Sequence, residues 1–574
     1  MSKFLFHKIK KGLGRGARIK RQYQDINPED IFLDSTNLPG FEHHALEGRI
    51  EKPMSHHTFA LFKVALFVVV LALVGKLGLL SIVRGSVYAQ ISEQNRLEQT
   101  LIFANRGAIL DRYGLELATN DIKEDALGFA GRHYAPMDGL AHVVGYIKYP
   151  LRDKAGIYYD ENYRAKDGAE LFYDERLKGR NGLKLKETDV EGRVTSESVV
   201  DKPQEGATLT LSIDAYLTQK LFQAIKALAQ SSRFLGGAGV IMDVSTGEIL
   251  ALTSYPEYNQ NDLTYGIDQK AFNALLKSPT TPFLNRAVGG LYTPGSIIKP
   301  LLALGALNEK LISPYKEILS TGEIIVPNPY DPTRPSIFKD WKAHGYTAMK
   351  EALAVSSDTY FYSIGGGYGD QKGLGISLID RYLSAFGLAE KTGVDLLGEM
   401  GGVIATPQWK AEKFRGDIWR LGDTYITAIG QYGTQVTPLN VARFVAAIAN
   451  SGKLLKPSVR LGGEPEPIVS TLNFIEADWQ VVRGGMRESV TYGTSVGLNV
   501  PYVTAAAKTG TAETGTGKTY VHSWSVGFFP YEHPRYAWAI VMEKGPTSNT
   551  VGATSVMRQV FDWINLNHPQ YFEN

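Results

Sequence analysis

Cysteine is missing altogether from the 574 residues. Its absence rules out disulfides, thiolate metal sites and a cysteine nucleophile at once, so covalent chemistry has to run through Ser, Thr or Lys. An excess of charge of either sign is missing too. The chain has 61 basic and 59 acidic residues, a formal net charge of +2, and so no general attraction to nucleic acid or another polyanion. No internal repeat, low-complexity tract or phosphate-cradling loop is present. Gly365-Gly-Gly-Tyr-Gly369 lacks the fingerprint spacing and a basic residue placed for phosphate, and reads as a flexible loop. What remains is a chain 44% hydrophobic and 21% charged, long enough for several domains with sizeable cores.

Long hydrophobic runs are also scarce, with one exception. Thr58 to Val83 is about the length needed to cross a hydrocarbon layer of roughly 30 Å. Lys63 and Lys76 interrupt it, leaving Val64 to Gly75 as the clean apolar stretch, and both side chains are long enough to snorkel to a surface. Lys3, Lys8, Lys10, Lys11, Arg15, Arg18, Lys20 and Arg21 all precede the first acid, Asp25. The positive-inside tendency then makes residues 1–57 a cytoplasmic basic tail and 58–83 a transmembrane anchor, with everything after about Arg84 on the far side. Val87-Tyr88-Ala89 mimics a small-residue cleavage site, but a leader of more than fifty residues is wrong for a simple signal peptide, so the anchor reads as uncleaved.

Beyond the anchor, residues 84–230 mix short β-rich runs, such as Thr208 to Ile213, with polar turns, and predict an α+β region. The pattern changes near Gly236. Ala238 to Asp243 and Ile249 to Thr253 flank Ser245-Thr-Gly247 and predict a hairpin that opens a second domain, 231–574. A helix is predicted from Val441 to Asn450, and strands from Ser523 to Phe529 and from Tyr536 to Glu543. Strands at both ends of a helical middle imply a sheet with helices packed on it.

A serine hydroxyl needs a base within hydrogen-bond reach, and Ser-x-x-Lys at a helix start supplies one a single turn away. The motif occurs three times: Ser296-Ile-Ile-Lys299, Ser313-Pro-Tyr-Lys316 and Ser336-Ile-Phe-Lys339. Context separates them. Ser313 before Pro314 reads as a helix N-cap, which would occupy its hydroxyl, and Ser336 follows the proline-rich stretch Val326 to Pro335, with no helix to align its lysine. Ser296 follows Tyr292-Thr-Pro-Gly295 and leads into the apolar Ile297, Ile298, Leu301, Leu302 and Leu304, a buried helix that would hold both side chains rigidly. Downstream lie Ser356-Ser-Asp358 and Lys508-Thr-Gly510-Thr511. A Ser-x-Asp triplet alone marks a cap or turn, and Ser212-Ile-Asp214 reads as a strand end; the ordered set is the signal. Asp340 and His344 offer two metal ligands at most, and a surface role fits them better.

Ser-x-x-Lys, Ser-x-Asn and Lys-Thr-Gly in this order resemble the penicillin-binding proteins and serine β-lactamases. Asp358 stands where Asn is usual, as in the elongation-type members of class B. Arg106 to Gly114 resembles the class B signature after the anchor, and Gly168-Ala-Glu170 through Gly182 its pedestal. Lys339-Asp-Trp341, Ser356 to Phe361, and Ile429 to Gly433 with Thr437-Pro-Leu439 are similar to the subgroup that builds the lateral wall with a polytopic glycosyltransferase. The resemblance implies a multidomain α+β protein: a single N-terminal transmembrane helix, a pedestal of the dimerisation type at 84–230, and a β-lactamase-like transpeptidase domain whose antiparallel sheet is flanked by helices at 231–574. No glycosyltransferase domain is recognised between anchor and pedestal, which implies a monofunctional enzyme of the inner membrane with its catalytic part in the periplasm.

The same resemblance implies the roles of the site residues. Ser296 attacks the penultimate D-Ala carbonyl of a peptidoglycan stem, Lys299 takes its proton, Ser356 relays a proton to the departing amine, and Asp358 orients Lys299 or the substrate. Lys508 and Thr509 hold the terminal carboxylate, with Gly510 beside them, and backbone N–H groups of Ser296 and Thr511 form the oxyanion hole. Penicillin and other β-lactams are the expected inhibitors, and the glycosyltransferase of the elongation complex and its scaffold proteins the expected partners; no cofactor, metal or nucleic acid is implied. A division-type transpeptidase, a penicillin-sensing receptor and a β-lactamase are the competing readings. The Lys-Asp-Trp and Ser-Ser-Asp segments argue against the first, the single anchor against the second, and the pedestal against the third.

Overall fold

The computed structural model describes residues 56–94, 97–121, 129–154, 158–188, 194–328, 330–463, 467–515 and 517–573; the basic tail up to residue 55 lies outside them. The chain forms two compact units, one ending at Asn95 and one running from Arg96 to Asn574.

In the first unit, α1 (His56–Gly78) continues into a five-residue π-helical segment, Leu79–Val83, and is followed by α2 (Gly85–Gln94). The span His57–Val83 is 27 residues long, has a mean hydropathy of 2.6 and buries none of its surface in the protein. By length and composition this helix could cross a membrane, and a helix satisfies its own backbone groups without outside partners. Its limits lie within a residue or two of the predicted anchor.

The second unit opens with two small sheets. One is antiparallel, with β1 (Leu97–Ile102) beside β5 (Gly182–Thr188) and β5 beside β6 (Val194–Asp201). The other runs β7-β2-β3-β4, from β2 (Ile109–Leu110), β3 (Glu116–Asp121), β4 (Gly131–Tyr134) and β7 (Leu209–Thr210), with β7 parallel to β2 and the remaining pairs antiparallel. The predicted strand Thr208 to Ile213 is thus two residues long. Asp214, expected at a strand end, is instead the N-cap of α3 (Ala215–Ser232), its carboxylate accepting from Leu217 N. Beside β4 of the second sheet lies a buried charge cluster. Glu170 accepts from Arg106 Nε, Arg132 Nε (2.8 Å) and Tyr134 OH (3.2 Å). Burial opposes its ionisation, but the two guanidiniums outweigh that and hold the carboxyl below the usual glutamate range.

The rest of the unit is built on a five-stranded, wholly antiparallel sheet of order β9-β8-β12-β11-β10. The hairpin β8 (Gly236–Asp243) and β9 (Ile249–Tyr255) opens it, and β10 (Ala506–Thr514), β11 (Tyr520–Phe529) and β12 (Tyr536–Pro546) close it. Both faces are covered, so these strands read as continuous apolar runs instead of alternating ones. Val240 and Val541 enter one core, with Leu301 and Phe444; Ile241 and Ile540 enter the other, with Leu221 and Phe561. The middle of the chain supplies the first core's helices: α4 (Lys299–Asn308), α5 (Met349–Ala354), α6 (Asp358–Gly366), α7 (Pro438–Ala449) and α8 (Glu476–Thr491). The second core is closed by α3 and α9 (Ala553–Asn567). All twelve residues of α7 are buried, the polar Asn440 and Arg443 bonding to the Glu390 and Leu455 carbonyls, and Thr437 caps it by accepting from Asn440 N (3.1 Å).

The run Gly365 to Gly369 is not wholly a loop. Gly365 and Gly366 end α6, where a Cβ would come within 2.4 Å of the Ala428 Cβ and 2.5 Å of the Tyr425 ring, so their bareness lets the helix approach its neighbours.

Candidate active site

The site assembles where three separate stretches meet. The first is the nucleophile turn. Gly295–Ile298 forms a 3₁₀ turn that runs directly into α4, so half-buried Ser296 lies one turn before Lys299, whose side chain is fully enclosed. Pro300 falls in the first turn of α4, where its missing N–H costs nothing. Gly295 has φ +58, and its N–H donates to the Gly430 carbonyl (2.9 Å), which ties the turn to the Ile429 to Gly433 loop.

The second stretch is the link between α5 and α6. Ser356 takes a left-handed conformation (φ +59), which directs both its carbonyl and its hydroxyl toward Lys299. Lys299 Nζ donates to the Ser356 carbonyl (2.8 Å), to Ser356 Oγ (3.3 Å) and to Asp358 Oδ1 (2.6 Å). Three acceptors match the three N–H donors of an ammonium, so the lysine is pinned by this segment. Ser357 caps α6 by accepting from Tyr360 N (3.3 Å), and Asp358 is the helix's first residue.

The third stretch is β10, the edge strand of the large sheet. Its ladder to β11 pairs Lys508 with Val526, Thr509 with Ser525, Gly510 with Trp524 and Thr511 with Ser523. Gly510 faces the nucleophile turn so closely that a Cβ would lie 2.8 Å from Ile297 Cγ2 and from the Pro294 carbonyl. By the two-residue strand period Lys508 shares that face. Burial, joined by the Lys299 charge, pushes the Lys508 ammonium well below the usual lysine range, against a smaller opposing pull from Asp358. Thr509 Oγ1 donates to Thr494 Oγ1 (2.7 Å), and Thr511 is exposed at the mouth, where its carbonyl accepts from Gln431 Nε2 (3.5 Å).

All eight singled-out residues therefore lie on three adjoining stretches. The other two Ser-x-x-Lys copies are elsewhere in form. Ser336–Lys339 is a β-strand, which throws serine and lysine to opposite faces. Ser313 does not cap a helix: it opens a turn in which Lys316 N donates to its carbonyl (3.0 Å), and Lys316 Nζ donates to Gln371 (2.9 Å). Proline at the second position favours such a turn as much as a helix start, and the next element is the strand Ile318–Ser320. The surface role read for Asp340 and His344 is also corrected, since their side chains are 0% and 2% exposed and lie 3.5 Å apart. Among the described residues no three His, Asp or Glu side chains converge to hold a metal ion. Thr494, held by its N–H on the Ala354 carbonyl (3.1 Å), went unread, and nothing local marks it.

A hydroxyl beside a buried lysine, a second hydroxyl on the same lysine, and a cationic strand edge suit acyl transfer to serine from a substrate bearing a carboxylate. Comparison with known proteins points the same way. The description "Penicillin binding protein transpeptidase domain" matches residues 237–562, and "Penicillin-binding Protein dimerisation domain" matches 130–211. The chain is similar to the peptidoglycan D,D-transpeptidase MrdA of Acinetobacter baumannii, at 32% identity over 75% of this chain and 66% of that protein, just under two thirds of its length. It is also similar in structure to Pseudomonas aeruginosa PBP2 in complex with WCK 5153 (30% identity, TM-score 0.67, 81% of this chain and 97% of that one). A third likeness is to Helicobacter pylori PBP2 in its complex with MreC (27% identity, TM-score 0.68, 82% and 99%). With the transpeptidase domain matched over more than half of its length, the chain belongs to the penicillin-binding protein transpeptidase family.

Proposed function

We propose that this chain is a D,D-transpeptidase that cross-links peptidoglycan stem peptides during lateral wall elongation, and a target of β-lactams. The observation that carries the reading is the enclosed Lys299 ammonium, one turn from Ser296 and bonded to Ser356 and Asp358, beside the Lys508 strand. In the acyl step Lys299, having shed a proton, accepts the one that Ser296 loses. Ser296 Oγ bonds the penultimate D-Ala carbonyl carbon, the peptide C–N bond breaks, and Ser356 passes its proton to the amine while Lys299 hands Ser356 the one it took from Ser296, so that D-Ala leaves. A stem-peptide amine then attacks the ester and returns the hydroxyl. The Ser296 and Thr511 N–H groups steady the oxyanion, a contribution of about 3–4 kcal/mol per donor. Lys508 and Thr509 hold the terminal carboxylate, and that anion supplies the counter-charge which the buried ammonium lacks.

The apolar span His57–Val83 anchors the enzyme in the inner membrane, with the basic tail in the cytoplasm and the catalytic part in the periplasm. A polytopic glycosyltransferase and an elongation scaffold are its proposed partners; the Helicobacter pylori relative is described in complex with MreC. Fluorescent penicillin followed by peptide mass spectrometry tests the chemistry. Label on the Ser296 peptide, lost in Ser296→Ala, is the expected result; label on Ser313 or Ser336, or none, sinks the proposal.

A further inference from the structure

The Lys339-Asp-Trp341 segment takes no part in the chemistry just described, yet the Asp340 side chain is enclosed against the start of α6. One carboxylate oxygen, Oδ2, accepts from Ser357 Oγ (2.9 Å), Thr359 N (2.9 Å) and Ser320 Oγ (3.3 Å); the other, Oδ1, accepts from Trp341 N (2.8 Å). The Asp358 N–H also points to it. These donors include the first N–H groups of α6, which have no partner inside the helix, and a negative charge at that end is favoured by the helix dipole. Next door, the Trp341 indole N–H donates to the Val355 carbonyl (3.2 Å). The chain on both sides of the left-handed Ser356 is thus clamped from one short segment, at Val355 by Trp341 and at Ser357 by Asp340. Burial raises the Asp340 carboxyl, but the helix N–H groups and the Lys299 charge prevail and hold it below the usual aspartate range.

We propose that Asp340 is a positioning residue for acyl transfer: by fixing the Ser357 hydroxyl and the first turn of α6 it sets the Ser356 and Asp358 acceptors that hold Lys299. It touches neither substrate nor Lys299 Nζ and acts through the segment between them. The inference rests on the acyl-transfer reading, which the labelling of the unaltered protein at Ser296 tests on its own. The geometric lever is large, because a misplacement of about 1 Å at a reacting group costs on the order of 100-fold in rate.

The test is stopped-flow acylation by fluorescent penicillin, analysed for the limiting rate and the half-saturating concentration separately, with protein counted by its labelled active sites. Asp340→Asn keeps the size but turns one acceptor into a donor; its limiting rate should fall roughly 10- to 100-fold with half-saturation unchanged. Ser357→Ala and Trp341→Phe should each fall less, and the double variant Asp340→Asn with Ser357→Ala should be no slower than Asp340→Asn alone, since the two act along one path. If Asp340→Asn does not fold, the milder pair decides. Limiting rates equal to that of the unaltered protein, with loss confined to thermal stability, overturn the inference and leave Asp340 a fold residue. Absent labelling of the unaltered protein overturns the acyl-transfer reading instead.

Discussion

Two lysines share one carboxylate at the centre of the site. Lys299 holds Asp358 directly, at 2.6 Å, whereas Lys508 is fully buried and feels Lys299 more strongly than Asp358. The charged form of Lys508 is therefore poorly compensated by the chain's own groups, at a cost to stability. Between its depressed value and the ordinary lysine range near 10.4 the unfolded chain binds more protons than the folded one, so stability rises with pH across that window. Below the window the penalty is at its full size. Lys508→Met should accordingly unfold later than the unaltered protein at pH 7, by ~1 kcal/mol or about 2 °C, and this advantage should shrink at pH 10. The same variant should lose at least roughly 100-fold in acylation by carboxylate-bearing β-lactams. Thermal melts at the two pH values check the first part; a variant equally destabilised at both would mean that Lys508 contributes to the fold.

Three elements touch at the nucleophile turn with no room for a side chain. Gly430, at φ +76, would place a Cβ 2.0 Å from the Gly295 carbonyl, and Gly295 would place one 2.9 Å from the Thr511 carbonyl. Gly430→Ala must therefore displace the turn, and acylation should drop about 100-fold. Gly369→Ala is the control: its φ is +57 but nothing lies within 4 Å, so it should lose only ~1 kcal/mol of stability and keep its acylation rate. Normal acylation by Gly430→Ala would mean that the turn tolerates the shift. Such contacts also explain what could be read from sequence. Ser296 and Lys299 are one turn apart, so their pairing is local, and strands β8, β11 and β12 announce themselves as apolar runs. Ser313-Pro314 misled because one dipeptide serves both a helix start and a turn. Thr494 and the burial of Asp340 were hidden for another reason: the partners of Asp340 and Thr494 lie 17 and 15 residues away at Ser357 and Thr509, and no periodicity records a contact between elements.

Within the second unit one apolar core runs from the small sheets, at Ile109, Leu117 and Leu209, into the large one at Val240 and Leu252, and polar contacts reinforce the joint. Gln260 Nε2 donates to the Gly145 carbonyl (2.6 Å), Asn261 exchanges two bonds with the Tyr134 backbone (3.1 and 3.0 Å), and Tyr173 donates to Asp395. Glu257 is the most responsive of them. Its carboxylate accepts from Gly139 N (2.6 Å) and Ala141 N (3.0 Å) beside a cavity of about 360 Å³ lined by residues of both parts. Burial raises its pKa from 4.5 to about 7, against the two N–H groups and Lys226, with Asp138 adding to the rise. A carboxyl raised on folding favours the folded state at low pH, and the gain is lost as pH climbs from about 4.5 through 7. Replacing it by Glu257→Gln removes the titration while keeping one acceptor for the two N–H groups. The unaltered protein should thus be the more stable of the two at pH 5 relative to pH 8, with the difference between their unfolding free energies changing by on the order of 2–3 kcal/mol across that range. Urea unfolding of both proteins at the two pH values measures it. A difference that stays constant would mean that Glu257 keeps one charge state throughout, and that the joint between the two parts is indifferent to acidity near neutral pH.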